Sequence, residues 1–494
     1  MKESRRSSRI VSWTNNKGQQ IPGIDLGDRT QWLISKHNPE REAQRLVGDA
    51  GSATIGLVFG WGNGFLAKEL EKVLDTVIVL EPSCMKHFWE TIPSGGKISF
   101  HWIGETATIP EEMLLICSRY SLSLLSASLG FWTLPGYNSA FPGLFASIRQ
   151  GCTDFLSYAS QDLGLQAKLG ETWFENTLQN MVQWKEKIWL FEDREIQPNQ
   201  SILCLGAGPS GSKGIDLLLK ERPMYYLLAA DTLYPALWNL GIEPDIVFSL
   251  DAQWYSLLHI MGTGSIQQKW MVDAAIHPGL LRLLPRANPR FSDHPLNALF
   301  HFHGLPVMSL PSYRNVGEWI LHYGTTLSDY AQKRIITFGI DNSYPNYRSY
   351  VPGTYLDTWT NTYSSRYLPR ESWELSILSR GDTSKLMLTP TGYTHKDFSA
   401  TAQISQPYPF NGFKSMKNLD WQGVVSKTAR YMKEQLNESC GPSGTWHTKP
   451  WIAALYPQAL GLMKREKITS IEKSMELTRK KTLEKMNVSP IFEL

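Results

Sequence analysis

Cysteine is scarce in this chain, and what there is does not cluster. Five residues, Cys84, Cys117, Cys152, Cys204 and Cys440, are odd in number, and none forms a CxxC pair or sits in a metal-like pattern with histidine. That excludes a disulfide-stapled scaffold and the common zinc modules, and it points to a reducing compartment. Long apolar runs are missing too. The nearest, MLLICSRYSLSLLSASLGFW at 113–132, carries Arg119 and several serines, so it reads as a buried helix or helix pair rather than a span of about 18 apolar residues. The start, MKESRRSSRIVSW, has charge but no apolar core of a signal peptide, and the expectation is a cytoplasmic protein without membrane contact. Excess charge is absent as well: 49 basic against 46 acidic residues leave +3, too little to recruit nucleic acid. Its local basic runs, Lys2–Arg9 and Arg479–Lys481, read as a solvated tail and helix face. GxSxG, HExxH and the Walker lysine turn do not occur, which removes the usual serine hydrolases, zinc proteases and P-loop enzymes.

What is present begins at residues 201–210. The segment SILCLGAGPS is an apolar strand running into a turn with Gly206, Gly208, Pro209 and Ser210. Such a turn lets backbone amides approach a phosphate, and the following helix N-terminus favours negative charge. Two more apolar runs follow: YYLLAAD ends in Asp231, next to Thr232, and DIVFSLD ends in Asp251. Strands that end in carboxylates after one glycine turn place a nucleotide site at the carboxyl edge of a parallel sheet.

A second glycine unit lies nearer the N-terminus. The strand IGLVF, the turn GWGNG with Gly60, Gly62 and Gly64, a helix and the strand TVIVLE ending in Glu81 have the spacing of a dinucleotide or adenosylmethionine site. The same pattern also fits a Rossmann-like half that binds nothing.

The periodicity divides the 494 residues into four segments. An N-terminal α/β domain is expected over 1–155, connecting helices over 156–195, a central nucleotide-binding domain over 196–395 and a helical region over 396–494. Later central strands are expected in KWMVDAAI, PVMSL and KRIITFGID, with a helix around 315–332. Alternation of strand and helix gives the fold class α/β: a central, doubly wound Rossmann-like sheet, a smaller Rossmann-like domain before it and a helical C-terminal region.

Residues with chemistry gather at strand ends. FGIDNSYPNYRSYVPGTY carries an apolar strand into Asp341 and a loop with Asn342, Tyr344, Arg348, Tyr350 and Tyr355. Arginine and tyrosine hydroxyls hold phosphate oxygens without a metal, and asparagine amides read a base or sugar edge. His277 directly follows the strand VDAAI and is a candidate base; His301 and His303 in FHFHG alternate along one face, too few for a metal site. Eighteen tryptophans are scattered and form no local sugar-stacking platform.

These segments together resemble the motility-associated factor (Maf) proteins, whose core is shared with archaeal 6-hydroxymethylpterin diphosphokinases of the MptE type. SKHNPEREAQRL at 35–46, the turn at Gly60 and Glu81-Pro82 resemble the family's N-terminal part, and Trp173, Asn176 and Asn180 its connecting helix. GAGPS, AAD with Thr232, LGIEPD at 240–245 and SLD at 249–251 resemble its central signature, and FGIDNSY and YVPGTY its last motif. Gly211 departs from the pattern, standing where the family usually has leucine. The resemblance implies a sialyltransferase-like core and a glycosyltransferase of flagellar assembly and motility. Its donor would be a CMP-activated nonulosonic acid, of the pseudaminic, legionaminic or sialic type, and its acceptors serine and threonine hydroxyls of flagellin. By that analogy Gly206, Gly208, Pro209 and Ser210 meet the nucleotide, with Asp231 and Thr232 beside it. Asn342, Arg348 and Tyr350 are expected at the phosphate or sugar, and Asp251, Asp341 and His277 are the catalytic candidates, with no metal or other cofactor required. Three readings compete: an ATP- and Mg²⁺-dependent pterin diphosphokinase, a methyltransferase built on Gly60 to Glu81, and a non-catalytic flagellin-binding factor.

Overall fold

The computed structural model describes residues 9–48, 51–89, 96–104, 107–189, 195–291, 299, 303–305, 313, 315–341, 343–346, 348–378, 386–389, 392–395 and 418–488. Contacts divide the chain into two compact units, one of residues 1–170 with 435–483 and one of 171–434 with 484–494. The expected strand PVMSL and residues Asn342 and His301 lie outside the described residues.

The first unit opens with an antiparallel sheet of β1 (Arg9–Thr14), β2 (Gln20–Asp25) and β3 (Thr30–Trp32). A four-stranded parallel sheet follows: β4 (Ile55–Phe59), β5 (Thr76–Pro82), β6 (Ile98–Ile103) and β7 (Leu129–Thr133), in the order β6-β5-β4-β7. β4 and β5 are buried at every position, as apolar strands covered on both faces must be. The stretch 113–132 resolves into the ends of helices Ile109–Arg119 and Ser121–Ser126 and most of β7. No helix among the described residues is long and apolar enough to cross a membrane.

Helix Leu144–Met181 runs without a break, starting before the connecting helices expected over 156–195 and ending before a short helix at Trp184–Lys187. In the first unit it meets helix Pro450–Glu466, where a Cβ on Gly170 would overlap Pro457 and one on Gly461 the Ala167 carbonyl. The two glycines let the backbones approach where any larger residue would hold them apart. Helix Ile471–Val488 is tied to the same helix by the Ser474 hydroxyl, which donates to the Ala459 carbonyl at 2.6 Å.

The second unit is built on a six-stranded sheet: β8 (Ser201–Leu205), β9 (Tyr225–Ala230), β10 (Ile246–Ser249), β11 (Lys269–Asp273), β12 (Arg286–Arg290) and β13 (Ile335–Phe338). Every pairing is parallel and the order is β12-β11-β10-β9-β8-β13. Alternation along β8 and β9 assigns the helices to faces. Leu203, Leu205, Leu227 and Ala229 join Ile215 and Leu218 of helix Gly211–Glu221 and Ala236 and Leu237 of helix Tyr234–Asn239 in one apolar cluster. Cys204, on the opposite face, points its thiol at the Ile320 carbonyl of helix Val316–Ala331. Helices on both faces make the sheet doubly wound. β12, in RANPR, is not among the expected strands; its Pro289 is accommodated because β12 lies at the sheet edge, where a missing amide costs least. A small antiparallel sheet, β14 (Ser343–Pro345), β15 (Leu386–Thr389) and β16 (Gly392–His395), follows β13.

Candidate functional site

Strand order fixes where a ligand belongs. From β8 the chain winds outward through β9, β10, β11 and β12, then returns to place β13 on the other side of β8. The helix after β8 and the helix before β13 pack on opposite faces of the sheet, and the crevice at this switch point is where an open α/β sheet binds ligands.

The glycine turn and the Asp341 loop meet there. Gly206 N–H donates to the Phe338 carbonyl and Gly208 N–H to Gly339, both at 2.9 Å. A Cβ on Gly206 would overlap the Gly339 carbonyl, and one on Gly208 would lie 2.8 Å from it. These glycines are thus required by the crossing of two loops, a different reason from the open phosphate cradle that the sequence pattern suggests. Ser210 completes the crossing: its amide donates to Asp341 Oδ2 at 2.9 Å, its hydroxyl donates to Asp341 Oδ1 at 2.7 Å and accepts from Gly339 N–H at 2.7 Å. A nucleotide reaching this point meets a carboxylate and a serine already latched together. Pro209 and Ser210 are half-buried at the crevice.

Asp231 and Thr232 sit at the end of β9. The Asp231 carboxylate is buried and saturated, accepting from Thr232 N–H at 2.6 Å, Thr232 Oγ1 at 3.1 Å and the Ser249 hydroxyl at 2.5 Å. It ties the ends of β9 and β10 together. Asp251 differs. It is half-buried, and the donors reaching it come from Gln253, whose amide lies 2.9 Å from Oδ1. Burial pushes its carboxyl above the ordinary range, the Gln253 amide pulls it back, and the Asp231 charge raises it further. A carboxylate that is desolvated yet reachable is a more effective proton acceptor than one held by several donors.

His277 caps helix Pro278–Leu283, its Nδ1 accepting from Gly279 N–H at 3.1 Å. Burial, with the Arg282 charge, lowers its pKa, and the capping bond engages the Nδ1 lone pair that a base would use. Arg348 is exposed. Tyr350 packs against the β8–β9 cluster; burial raises its phenol, and Tyr344, Glu374 and Asp231 add to the shift. Its loop is anchored by a buried ion cluster in which Arg370 pairs with Asp357 at 2.5 Å and Glu374 at 3.3 Å, while Ser349 donates to Glu374 at 2.5 Å.

Residues 175–347 match the family model described as 6-hydroxymethylpterin diphosphokinase MptE-like. The matched residues all fall in the second unit. An uncharacterized protein of Treponema pallidum (strain Nichols) is 28% identical over 123 residues, spanning 25% of this chain and 58% of that protein. A structure described as the Maf glycosyltransferase from Magnetospirillum magneticum AMB-1 aligns with 98% of this chain and 91% of its own, with a TM-score of 0.49 and 13% identity.

Within the matched residues the site also contains residues that no motif announced. His259, at the end of the 3-10 turn Trp254–His259, is 7% exposed, its Nδ1 is buried without a partner, and its ring lies 6.4 Å from Tyr355. Its charge acts on Asp251. A lone histidine in WYSLLHI has no sequence signature; only the turn brings it to the strand end. His303 packs its ring 4.9 Å from Tyr431, a contact unlike a metal pair.

The N-terminal glycine turn is filled by protein. A Cβ on Gly60 would lie 2.5 Å from Tyr137, one on Gly62 would overlap Leu134 and one on Gly64 the Trp61 ring. Glu81, expected at a ribose, is fully buried and accepts from Trp61 N–H at 2.6 Å, Trp89 Nε1 at 2.8 Å and the Tyr137 hydroxyl at 2.8 Å. Side chains of the unit itself occupy the positions that a cofactor would contact.

Proposed function

We propose that the chain is a glycosyltransferase that moves a nonulosonic acid from its CMP-activated form to serine and threonine hydroxyls of flagellin, in the cytoplasm and in support of flagellar assembly and motility. The observation that carries this reading is Asp251, a half-buried carboxylate at the carboxyl edge whose pKa is raised and whose donors come from one neighbour, Gln253. The match of residues 175–347 to the MptE-like family model and the motifs that resemble those of the Maf proteins support it.

The nucleotide lies over the switch point, with ribose hydroxyls at Asp341 and Ser210 and the phosphate at Arg348 and Tyr350. The bond between the anomeric carbon and the phosphate oxygen breaks, and CMP leaves with the electron pair. The acceptor oxygen bonds to the anomeric carbon and gives its proton to Asp251. CMP carries one phosphate, so Arg348 and the polar crevice stabilise the departing charge and no metal or further cofactor is required.

The family model's description supports a second reading, ATP-dependent diphosphate transfer with Asp251 or Asp341 as a ligand of Mg²⁺. Thermal-shift titrations separate the two, because a ligand that binds only the native state raises its apparent stability. CMP raises the transition temperature in EDTA, and ATP with Mg²⁺ does not. Stabilisation by ATP with Mg²⁺ alone transfers the assignment to the kinase reading.

A further inference from the structure

β10 and β11 end in the same way. Asp251-Ala252-Gln253 closes a turn in which Asp251 Oδ1 accepts from Gln253 N–H at 2.9 Å, and Asp273-Ala274-Ala275 closes one in which Asp273 Oδ1 accepts from Ala275 N–H at 2.9 Å. Helix Leu144–Met181 crosses both ends. Asn176 Nδ2 donates to the carbonyls of Ala252 and Ala275, both at 3.0 Å, and Asn180 Nδ2 to those of Ala274 at 3.0 Å and Ile276 at 2.7 Å. Asn176 thus bridges the segments that follow β10 and β11, and Asn180, one helical turn on, holds two carbonyls of the second.

Each asparagine reaches an aspartate through one peptide group. The Ala252 carbonyl held by Asn176 belongs to the peptide whose N–H donates to Asp251, and the Ala274 carbonyl held by Asn180 belongs to the peptide whose N–H donates to Asp273. A hydrogen bond to a peptide oxygen fixes that peptide's plane and polarises its N–H, strengthening the bond on the other side.

We propose that Asn176 and Asn180 are positioning residues, Asn176 setting the orientation and basicity of Asp251 and Asn180 those of Asp273. The catalytic consequence at Asp251 rests on the transferase reading above; the titration itself does not. Asp251 also faces Asp231 just after β9, and His259 and Tyr255 from the following turn. Asp273 faces Arg290, which pairs with it at 3.2 Å.

The test is a carbon-13 NMR titration of the full chain labelled at aspartate side-chain carboxyls, with Asp251→Asn assigning the signal. Asn176→Ala weakens the Gln253 donor and raises the Asp251 midpoint by about half a unit to one unit. Asn180→Ala leaves Asp251 in place. Asn176→Ser keeps a single donor and gives a smaller shift in the same direction, and it serves if loss of two buried bonds prevents Asn176→Ala from folding. In the transfer assay Asn176→Ala lowers kcat with little change in KM and moves the acid limb of the pH profile upward. An Asp251 midpoint that stays put in the Asn176 variants, or moves equally in Asn180→Ala, overturns the proposal. A shifted midpoint in a chain without transfer activity leaves the positioning role standing and removes the transferase reading.

Discussion

Asp251→Asn lowers the transfer rate about 10²- to 10⁴-fold, the range of a lost general base, while donor binding changes little. Asparagine keeps the size of the side chain and its oxygen still accepts from Gln253 N–H, so the turn Asp251-Ala252-Gln253 survives. The amide cannot take the acceptor's proton. Three other polar groups along the carboxyl edge are already committed: Asp231 to Thr232 and Ser249, Asp341 to Ser210, and His277 Nδ1 to the cap of its helix. Initial rates of CMP release with flagellin present, measured beside donor affinity, check this. A variant that retains wild-type turnover removes Asp251 from the role.

Stability of the first unit falls by roughly 3 kcal/mol as pH rises from 4.5 to 8, through Glu81 alone. Burial lifts this carboxyl from its ordinary value near 4.5 to about 7, against the pull of the Trp89, Trp61 and Tyr137 donors. With its folded pKa above its unfolded one, the folded state holds the proton more tightly. Protonation thus contributes stability that is fully present below about 4.5 and lost as pH passes through about 7. Glu81→Gln removes the titration and leaves Trp61 N–H facing a changed partner, an offset independent of pH. Urea unfolding of both chains between pH 4.5 and 8 shows their stability difference changing across that range; a constant difference shows that Glu81 keeps an ordinary pKa.

Much of the central fold is legible along the chain, because strand, turn and helix are each local. SILCLGAGPS forms β8, its turn and the start of a helix, and YYLLAAD and DIVFSLD form the next strands in parallel. What the glycines are for is not local. Gly206 looks like a phosphate-binding residue in one dimension and proves to be a crossing point with Gly339, over a hundred residues away in sequence. The same limit hides the asparagine pair. Asn176 and Asn180 stand in a motif, but the carbonyls they hold, from Ala252 to Ile276, become neighbours only after the helix crosses two strand ends. Likewise GWGNG and Glu81 match a cofactor pattern by spacing, while the side chain that fills the position, Tyr137, comes from another helix. The compact units are also discontinuous, since residues 435–483 associate with 1–170, and sequence order carries no signal for that return.

Intact mass of flagellin after incubation with the full chain, a CMP-nonulosonate donor and EDTA tests the central claim most directly. The account predicts one or more added nonulosonic acid residues per flagellin, with equivalent release of CMP, and loss of both in Asp251→Asn. Unchanged flagellin mass with the donor intact, beside a wild-type chain that is folded, contradicts it.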